Sequence, residues 1–123
     1  MLNLNSIMLG TSQIKEMAAF YEKVFARKAD MVDGEWHGWQ VGSAFLTIGT
    51  HSEVKGQAKE PQRIILNLET KEIKEEFERI KATGATVVKE LYGMEGEEGM
   101  QIATFADPDG NYFQLMTPWE EKN

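Results

Sequence analysis

The sequence contains no cysteine and is short of basic residues. The absence of cysteine excludes disulfides, thiolate metal sites and a cysteine nucleophile, and it fits a reducing cytoplasm, where we expect the protein to act. Thirteen Lys and Arg residues stand against twenty Asp and Glu, which gives a net charge of -7. This acidic balance without a basic cluster argues against binding to nucleic acid or to an anionic membrane surface.

Long hydrophobic runs are also missing. No apolar stretch approaches the roughly 20 residues that a membrane-spanning helix needs. Residues 1–5 have neither the basic start nor the continuous apolar stretch of a secretory signal. Hydrophobic residues make up 41% and charged residues 27% of the 123 residues, as is typical of a folded globular chain. We therefore predict a single domain over residues 1–123, large enough to bury its own core.

Short β-rich runs and two amphipathic stretches follow one another in the same order twice. Apolar residues recur three or four positions apart over residues 14–24 and 73–80, which predicts two helices, capped by Ser12 and Thr70. A polar crossover, residues 51–61, joins two modules that cover about 2–50 and 62–118. The predicted strands are residues 2–9, 29–32, 36–41 and 44–48 in the first module, and 63–68, 86–90, 100–105 and 111–116 in the second.

The two modules also align with each other in sequence. Ile7 matches Ile64 at a separation of 57 positions, and the run 45–48 matches 112–115 at a separation of 67. One helix can cover only one face of a four-stranded sheet, so each module leaves the other face uncovered. We therefore predict an α+β fold of two βαβββ modules, with the helices outside and a curved mixed sheet around a cleft. Such a cleft is a natural ligand site.

The segment Phe105 to Leu115, with the sequence FADPDGNYFQL, closely resembles the last hairpin of the vicinal oxygen chelate superfamily. This superfamily includes glyoxalase I, extradiol dioxygenases, and fosfomycin- and bleomycin-resistance proteins. The run Ile7 to Gly10 and the following Ala19-Phe20-Tyr21 look like the opening strand and helix of that family. The resemblance extends from about residue 4 to residue 118. It implies paired βαβββ modules around a cleft, and a homodimer.

The resemblance also implies where a metal ion would bind. Metal-dependent members hold one divalent cation with His, Glu or Gln side chains, placed early in the first strand and late in the fourth strand of each module. The corresponding residues are Ser6, Thr47, Arg63 and Gln114, of which only Gln114 is a plausible ligand. Hydroxyl groups bind metals weakly. A guanidinium about 4 Å from a dication is repelled by roughly 8 kcal/mol at an effective dielectric near 20. We therefore expect neither a metal ion nor another cofactor.

Strand alternation predicts which side chains line the cleft. The predicted lining is mostly apolar, with a few amides and hydroxyls and one cation: Ser6, Met8, Trp39, Phe45, Thr47, Arg63, Ile65, Asn67, Tyr112, Gln114 and Met116. Arg63 could bind a ligand carbonyl or carboxylate through two parallel hydrogen bonds. Alternatively, Arg63 pairs with a nearby Glu and only closes the sheet.

Two tryptophans and one histidine are further candidates. Trp36 and Trp39 lie on one predicted strand and would suit a flat cationic ligand, as in bleomycin-resistance proteins. Alternatively, one of them packs in the core and the other at a dimer contact. His51 and Glu53 follow the fourth strand and are candidates for a general acid or base, although a histidine in a polar loop is more often simply solvated.

These observations favour a metal-free small-molecule binding protein of the glyoxalase/bleomycin-resistance type. The alternative is a glyoxalase-like lyase or isomerase that acts on a small oxygenated metabolite, with Arg63 as the electrophile and His51 or Glu53 as the base. A third possibility is a metal-dependent enzyme whose ligands lie one or two residues away from the positions named above. The sequence does not decide whether the protein is an enzyme.

Overall fold

The computed structural model describes residues 1–93 and 99–119. The chain divides into two compact units, residues 1–57 and 58–123. Each unit contains a strand, a helix and three further strands in that order, and each builds its own four-stranded sheet. The predicted α+β fold of two βαβββ modules is confirmed, whereas the cleft stays a prediction.

The first unit consists of β1 (Ser6–Thr11), α1 (Ile14–Phe25), β2 (Met31–Asp33), β3 (Trp36–Val41) and β4 (Ala44–Thr50). Its strands lie in the order β1-β4-β3-β2. β1 pairs with β4 in parallel, and β3 pairs in an antiparallel manner with both of its neighbours. The sheet is therefore mixed, as predicted.

The second unit repeats this arrangement with β5 (Leu66–Glu69), α2 (Ile73–Ala82), β6 (Thr86–Gly93), β7 (Gln101–Ala106) and β8 (Tyr112–Met116). Its strands lie in the order β5-β8-β7-β6, and β5 pairs with β8 in parallel. β6 shifts its register against β7 twice. Within residues 1–93 and 99–119, neither helix has the length and hydrophobicity that crossing a bilayer requires.

An aromatic cluster joins α1 to its sheet. Tyr21 is fully buried, and its ring centroid lies 5.6 Å from that of Phe25, which in turn lies 5.6 Å from that of Trp39. The indole N–H of Trp39 donates a hydrogen bond to the carbonyl oxygen of Arg27 at 3.1 Å. Burial of each large apolar side chain contributes about 1.5–3 kcal/mol, so this contact fixes which side of the sheet the helix covers.

A second aromatic stack joins α2 to the other sheet. The ring of Phe77 lies 5.4 Å from that of Phe105, and the ring of Phe105 lies 5.4 Å from that of Phe113. All three side chains are at most 2% exposed. Each unit thus has a core between one helix and one face of its sheet.

Both helices begin at the same kind of turn. The side-chain oxygen of Thr11 accepts a hydrogen bond from the backbone N–H of Gln13, and that of Thr70 accepts one from Glu72. The prediction that Ser12 caps the first helix is wrong, because the bonded hydroxyl belongs to the preceding residue. The two threonines are equivalent, and 59 positions separate them.

The first strands of both units begin later than predicted. β1 starts at Ser6, which pairs with Phe45 near the start of β4 (Ala44–Thr50), so continuing the register leaves residues 2–4 without a strand residue opposite them. β5 starts at Leu66, which pairs with Phe113. Continuing that register would set Arg63 opposite Gly110, which lies in the turn before β8.

Candidate functional site

In each unit, the sheet face opposite to the helix is here called the open face. The cross-strand register and the alternation of side chains define its members. In the first unit they include Met31, Asp33, Trp36, Gly38, Gln40, Phe45, Thr47, Gly49, Ser6, Met8 and Gly10. Leu46 and Ile48, which alternate with these residues along β4, are buried on the helix side.

The open face of the second unit is assigned in the same way. It includes Asn67, Glu69, Ile102, Thr104, Ala106, Tyr112, Gln114 and Met116. The side-chain amide nitrogen of Gln114 lies 3.4 Å from the hydroxyl oxygen of Thr104, its cross-strand neighbour. This face therefore offers amides and hydroxyls at its centre and apolar groups around them.

Two glycines on the first open face lie beneath aromatic rings. A Cβ added at Gly49 would lie 2.5 Å from Cε3 of Trp36, and one added at Gly38 would lie 2.7 Å from Cζ of Phe45. Both distances are shorter than real side chains tolerate. The absence of a side chain at each glycine therefore lets one ring lie directly on the backbone of the sheet.

His51 reaches the same open face from the segment after β4. A Cβ added at Gly10 would lie 3.2 Å from Cβ of His51 and 3.2 Å from Cγ2 of Val54. The backbone of His51 is held by a hydrogen bond to the carbonyl oxygen of Thr11. The absence of a side chain at Gly10 therefore gives the side chain of His51 room to lie close to the backbone of β1.

One hydrogen bond sets the tautomer of His51. Its Nδ1 accepts the backbone N–H of Glu53 at 3.1 Å. Since an accepting nitrogen carries no proton, the neutral ring holds its proton on Nε2, which is then a hydrogen-bond donor. In this arrangement, the lone pair that a general base would use is already occupied.

Most of the side chains predicted to line a cleft lie on the two open faces. They are Ser6, Met8, Phe45 and Thr47 in the first unit, and Asn67, Tyr112, Gln114 and Met116 in the second. Ile65 lies directly before β5 and is half-buried. That these residues bind a ligand stays a prediction.

Trp39 does not belong to this set. It pairs with Leu46 across the strands, is 1% exposed, and contacts Phe25 on the helix side. The side chain of Trp39 lies on the helix side and not on the open face, because the side chains of β3 alternate and only Trp36 falls on the open face. The alternative interpretation, that one tryptophan packs in the core, describes Trp39.

Arg63 lies outside any strand. Its guanidinium donates to a carboxylate oxygen of Glu60 at 2.5 and 3.2 Å, and its side chain is 73% exposed. The structure therefore supports the interpretation in which Arg63 pairs with a neighbouring Glu. The predicted strand 63–68 is shorter than expected and does not include Arg63, because β5 begins at Leu66. That Arg63 binds a ligand stays a prediction.

The pairing of the strands also corrects the expected metal positions. Met8 pairs with Thr47 in the first unit, and Asn67 pairs with Gln114 in the second. The first strands therefore correspond at a separation of 59 positions, as do Thr11 and Thr70, rather than at 57. The equivalent of Ser6 is Ile65 and not Arg63, so the repulsion between a guanidinium and a metal ion loses its basis.

The corrected positions still do not suit a divalent metal ion. Ser6 and Thr47 offer neutral hydroxyls, Ile65 offers no donor atom, and Gln114 offers one amide. In the part of the chain that the structure describes, no three His, Asp or Glu side chains form a group that could hold a metal ion. The residues present do not fit the metal that the superfamily resemblance implies.

Comparison with known proteins decides the family. A family model described as a glyoxalase-like domain matches residues 6–116. The chain belongs to the glyoxalase-like domain family. No curated protein sequence matches this glyoxalase-like chain.

Solved structures show the same fold at low sequence identity. A glyoxalase-related enzyme from Fulvimarina pelagi has a TM-score of 0.77 at 18% identity, with 96% of this chain and 89% of that chain covered. A glyoxalase/bleomycin resistance protein/dioxygenase family enzyme from Burkholderia phytofirmans PsJN has a TM-score of 0.75 at 21% identity, with 94% of this chain and 98% of that chain covered. A genomically encoded fosfomycin resistance protein from Listeria monocytogenes has a TM-score of 0.73 at 20% identity, with 97% of this chain and 95% of that chain covered.

Proposed function

We propose that this glyoxalase-like protein binds a small organic molecule on its open faces without a metal ion. The observation that carries the proposal is the donor set at the corrected positions: two hydroxyls, an isoleucine and one amide, with neither a carboxylate nor an imidazole. Such a set can donate and accept hydrogen bonds, but it binds a divalent cation poorly.

Exposed apolar groups on the first open face support this proposal. Met8 is 41% exposed and Trp36 is 38% exposed, although both belong to a sheet. Covering apolar surface that faces water lowers the free energy, so exposed apolar groups favour the binding of a ligand. On the first open face Thr47, and on the second open face Gln114, would then orient a ligand through its polar atoms, as a few polar groups do in most ligand sites.

A lyase or isomerase activity is the second candidate, and the geometry favours it less. Its expected electrophile, Arg63, is engaged by Glu60. Its expected base, His51, has Nδ1 occupied by the N–H of Glu53. The family match keeps this candidate open, and turnover of a bound compound would distinguish an enzyme from a binding protein.

The proposal includes a homodimer that acts in the cytoplasm. The superfamily resemblance supports the homodimer, and the lack of cysteine is compatible with the cytoplasm. Sedimentation equilibrium of the purified protein tests the first statement. Fractionation of the source cells tests the second.

Calorimetric titration of the purified chain with Ni²⁺, Mn²⁺, Zn²⁺ and Fe²⁺ tests the metal-free proposal. We expect no stoichiometric binding. Tight binding of one ion per chain would overturn the proposal, and loss of that binding in Gln114→Leu would locate the ion.

A thermal-shift screen of metabolites and cationic antibiotics then tests ligand binding. A ligand at about 100 times its Kd stabilises the native state by about 2.7 kcal/mol. Thr47→Val and Gln114→Leu should reduce this shift. Glu78→Gln, an exposed change on α2, should leave it unchanged.

A further inference from the structure

We propose that one end of the first open face is a binding subsite for a flat, uncharged ring that carries a carbonyl oxygen. The subsite consists of Asp33, Trp36, Gly49, Gly10 and His51. This inference rests on the proposed function and deepens it, because it names the chemical class of ligand that this part of the face would take.

The register sets the backbone of the subsite in one row across four strands. Asp33 of β2 pairs with Trp36 of β3, Trp36 pairs with Gly49 of β4, and Gly49 pairs with Gly10 of β1. Neighbouring strands lie about 4.8 Å apart, so the row spans the width of the sheet in three such steps. Two adjacent members of the row, Gly49 and Gly10, have no side chain, so side chains from neighbouring positions lie directly on this strip of backbone.

The indole of Trp36 covers one half of this strip. Three carbons of its six-membered ring, Cδ2, Cε3 and Cζ3, lie 2.5–2.8 Å from the position that a Cβ of Gly49 would take. One face of the ring therefore lies against the backbone, and the residue as a whole is 38% exposed, so we infer that the opposite face is accessible. A flat ring can stack on that exposed aromatic face.

The side chains of His51 and Val54 cover the other half, and Cγ2 of Val54 lies 3.2 Å from the position that a Cβ of Gly10 would take. The Cβ and Cγ of His51 lie 3.2 and 3.8 Å from the same position. Because Nδ1 accepts the N–H of Glu53, the proton of the neutral ring is on Nε2 and is available for donation. The row thus has a stacking surface over Gly49 and the side chain of His51, whose Nε2 is a donor, over Gly10 on the neighbouring strand.

The charge of Asp33 selects against anions. Asp33 lies on the edge strand β2 directly opposite Trp36, and the residue is exposed. The chain as a whole carries a net charge of -7. A carboxylate ligand would therefore be repelled, whereas a neutral amide or ketone offers Nε2–H an acceptor without that cost.

Three related probes test the subsite by NMR on the full ¹⁵N-labelled chain. Benzamide has a flat ring and a neutral carbonyl, benzoate replaces the amide by a charge, and cyclohexanecarboxamide keeps the amide but loses the flat ring. We expect benzamide to shift the indole N–H of Trp36 and the amides of Gly10 and Gly49. The other two probes should bind roughly five-fold more weakly or worse, since each lacks one of the stated interactions.

Variants assign the two interactions. His51→Leu should weaken benzamide binding roughly five-fold, and His51→Gln, which restores an N–H donor, should recover most of it. Trp36→Leu should abolish the preference for benzamide over cyclohexanecarboxamide. Val32→Ala, on the opposite side of the neighbouring edge strand and 62% exposed, is the matched control and should leave all three affinities unchanged.

Several outcomes would overturn the subsite. One is a shift pattern centred on Asn67 and Gln114 without Trp36, which would leave the proposed function intact. Others are equal binding of benzamide and benzoate, or no shift in the row at all. Because the probe series uses the unaltered chain, the test does not depend on whether a variant folds. Stoichiometric metal binding, by contrast, would overturn the proposed function itself.

Discussion

Asp107 holds Asn111 through both the backbone and the side chain. One carboxylate oxygen accepts the backbone N–H of Asn111 at 3.0 Å, and the other accepts its side-chain amide at 3.0 Å. The backbone N–H of Asp109 donates to the same carboxylate at 2.9 Å. Asp107 is 4% exposed, so the carboxylate serves the turn that leads into β8 and thereby positions the strand that carries Gln114.

Removal of this carboxylate should destabilise the fold. Asp107→Ala leaves three donors without their acceptor, and we expect the free energy of unfolding to fall by about 2–3 kcal/mol. Asp107→Asn keeps one acceptor and should lose less. Urea denaturation measures both changes, and Glu35→Ala in an exposed turn is the control. A loss below about 0.5 kcal/mol in Asp107→Ala would contradict the structural role.

Ala26 ends α1 in a left-handed conformation with φ of 58°. A side chain with a Cβ is disfavoured there, whereas glycine adopts this region without strain. Ala26→Gly should therefore raise the free energy of unfolding by about 0.5–1 kcal/mol, net of the greater freedom of the unfolded chain. Ala82→Gly, at the end of α2, should lower it by a similar amount. Destabilisation by both changes would argue against the left-handed end of α1.

The pKa of Asp30 is lowered from its ordinary value of 3.8, first by the hydrogen bond from the Arg27 side chain and then by the backbone N–H of Gln40. A carboxyl with a lowered folded-state pKa stabilises the fold above its unfolded pKa and loses that effect as the pH falls through the folded value.

Because the folded-state pKa of Asp30 is lowered, the contribution of its charge to stability can be tested by varying the pH. Asp30→Asn should be less stable than the unaltered chain at pH 7, and the difference should shrink as the pH is taken well below 3.8. Thermal unfolding followed by circular dichroism at several pH values measures it. Asp33→Asn, at the far end of the strand β2 that Asp30 precedes, is the control. A difference that stays constant down to pH 2 would show that the charge of Asp30 contributes nothing.

Gly49→Ala should disturb Trp36 and little else. The new Cβ would lie 2.5 Å from the indole, so the ring must leave the sheet, at about 1–3 kcal/mol of stability. The change in environment should alter the fluorescence of the tryptophans. Gly93→Ala is the matched control, because the nearest atom to its Cβ lies 3.8 Å away. Equal spectra for Gly49→Ala and the unaltered chain would contradict the close approach.

Hydrophobic periodicity is sufficient to predict the two helices and the faces that they bury. Met17, Tyr21 and Val24 recur three or four positions apart and are all buried against the sheet of the first unit. Ile73, Phe77 and Ile80 do the same in the second. These patterns are local, and they need no knowledge of the rest of the chain.

Strand limits and equivalences could not be predicted in this way. Leu2 and Leu4 continue the alternation of β1, yet no strand residue lies opposite them. Phe20 and Phe77 match as aromatic residues 57 positions apart, but α1 and α2 start at Ile14 and Ile73, which are 59 apart. Similar side chains gave the wrong alignment because the partner strand, not the residue type, sets the register.

The candidate site was predictable only where alternation along a strand sufficed. Phe45 and Thr47 share a face by spacing alone, and the structure has them so. Which of Trp36 and Trp39 falls on the open face depends on the residue of β4 with which each pairs, and spacing alone does not give that pairing. The approach of His51 to Gly10 joins a loop to an edge strand, and no local pattern encodes such a contact.

The ring of Trp36 packs directly on the backbone of Gly49, so the sizes of the side chains at positions 36 and 49 constrain each other. A relative that acquires a side chain at position 49 would have to shrink residue 36, and one that loses the indole would leave a groove that a larger residue 49 could fill. The same holds for Phe45 and Gly38. We therefore expect each pair to change together during divergence, so the shape of this face evolves in paired steps.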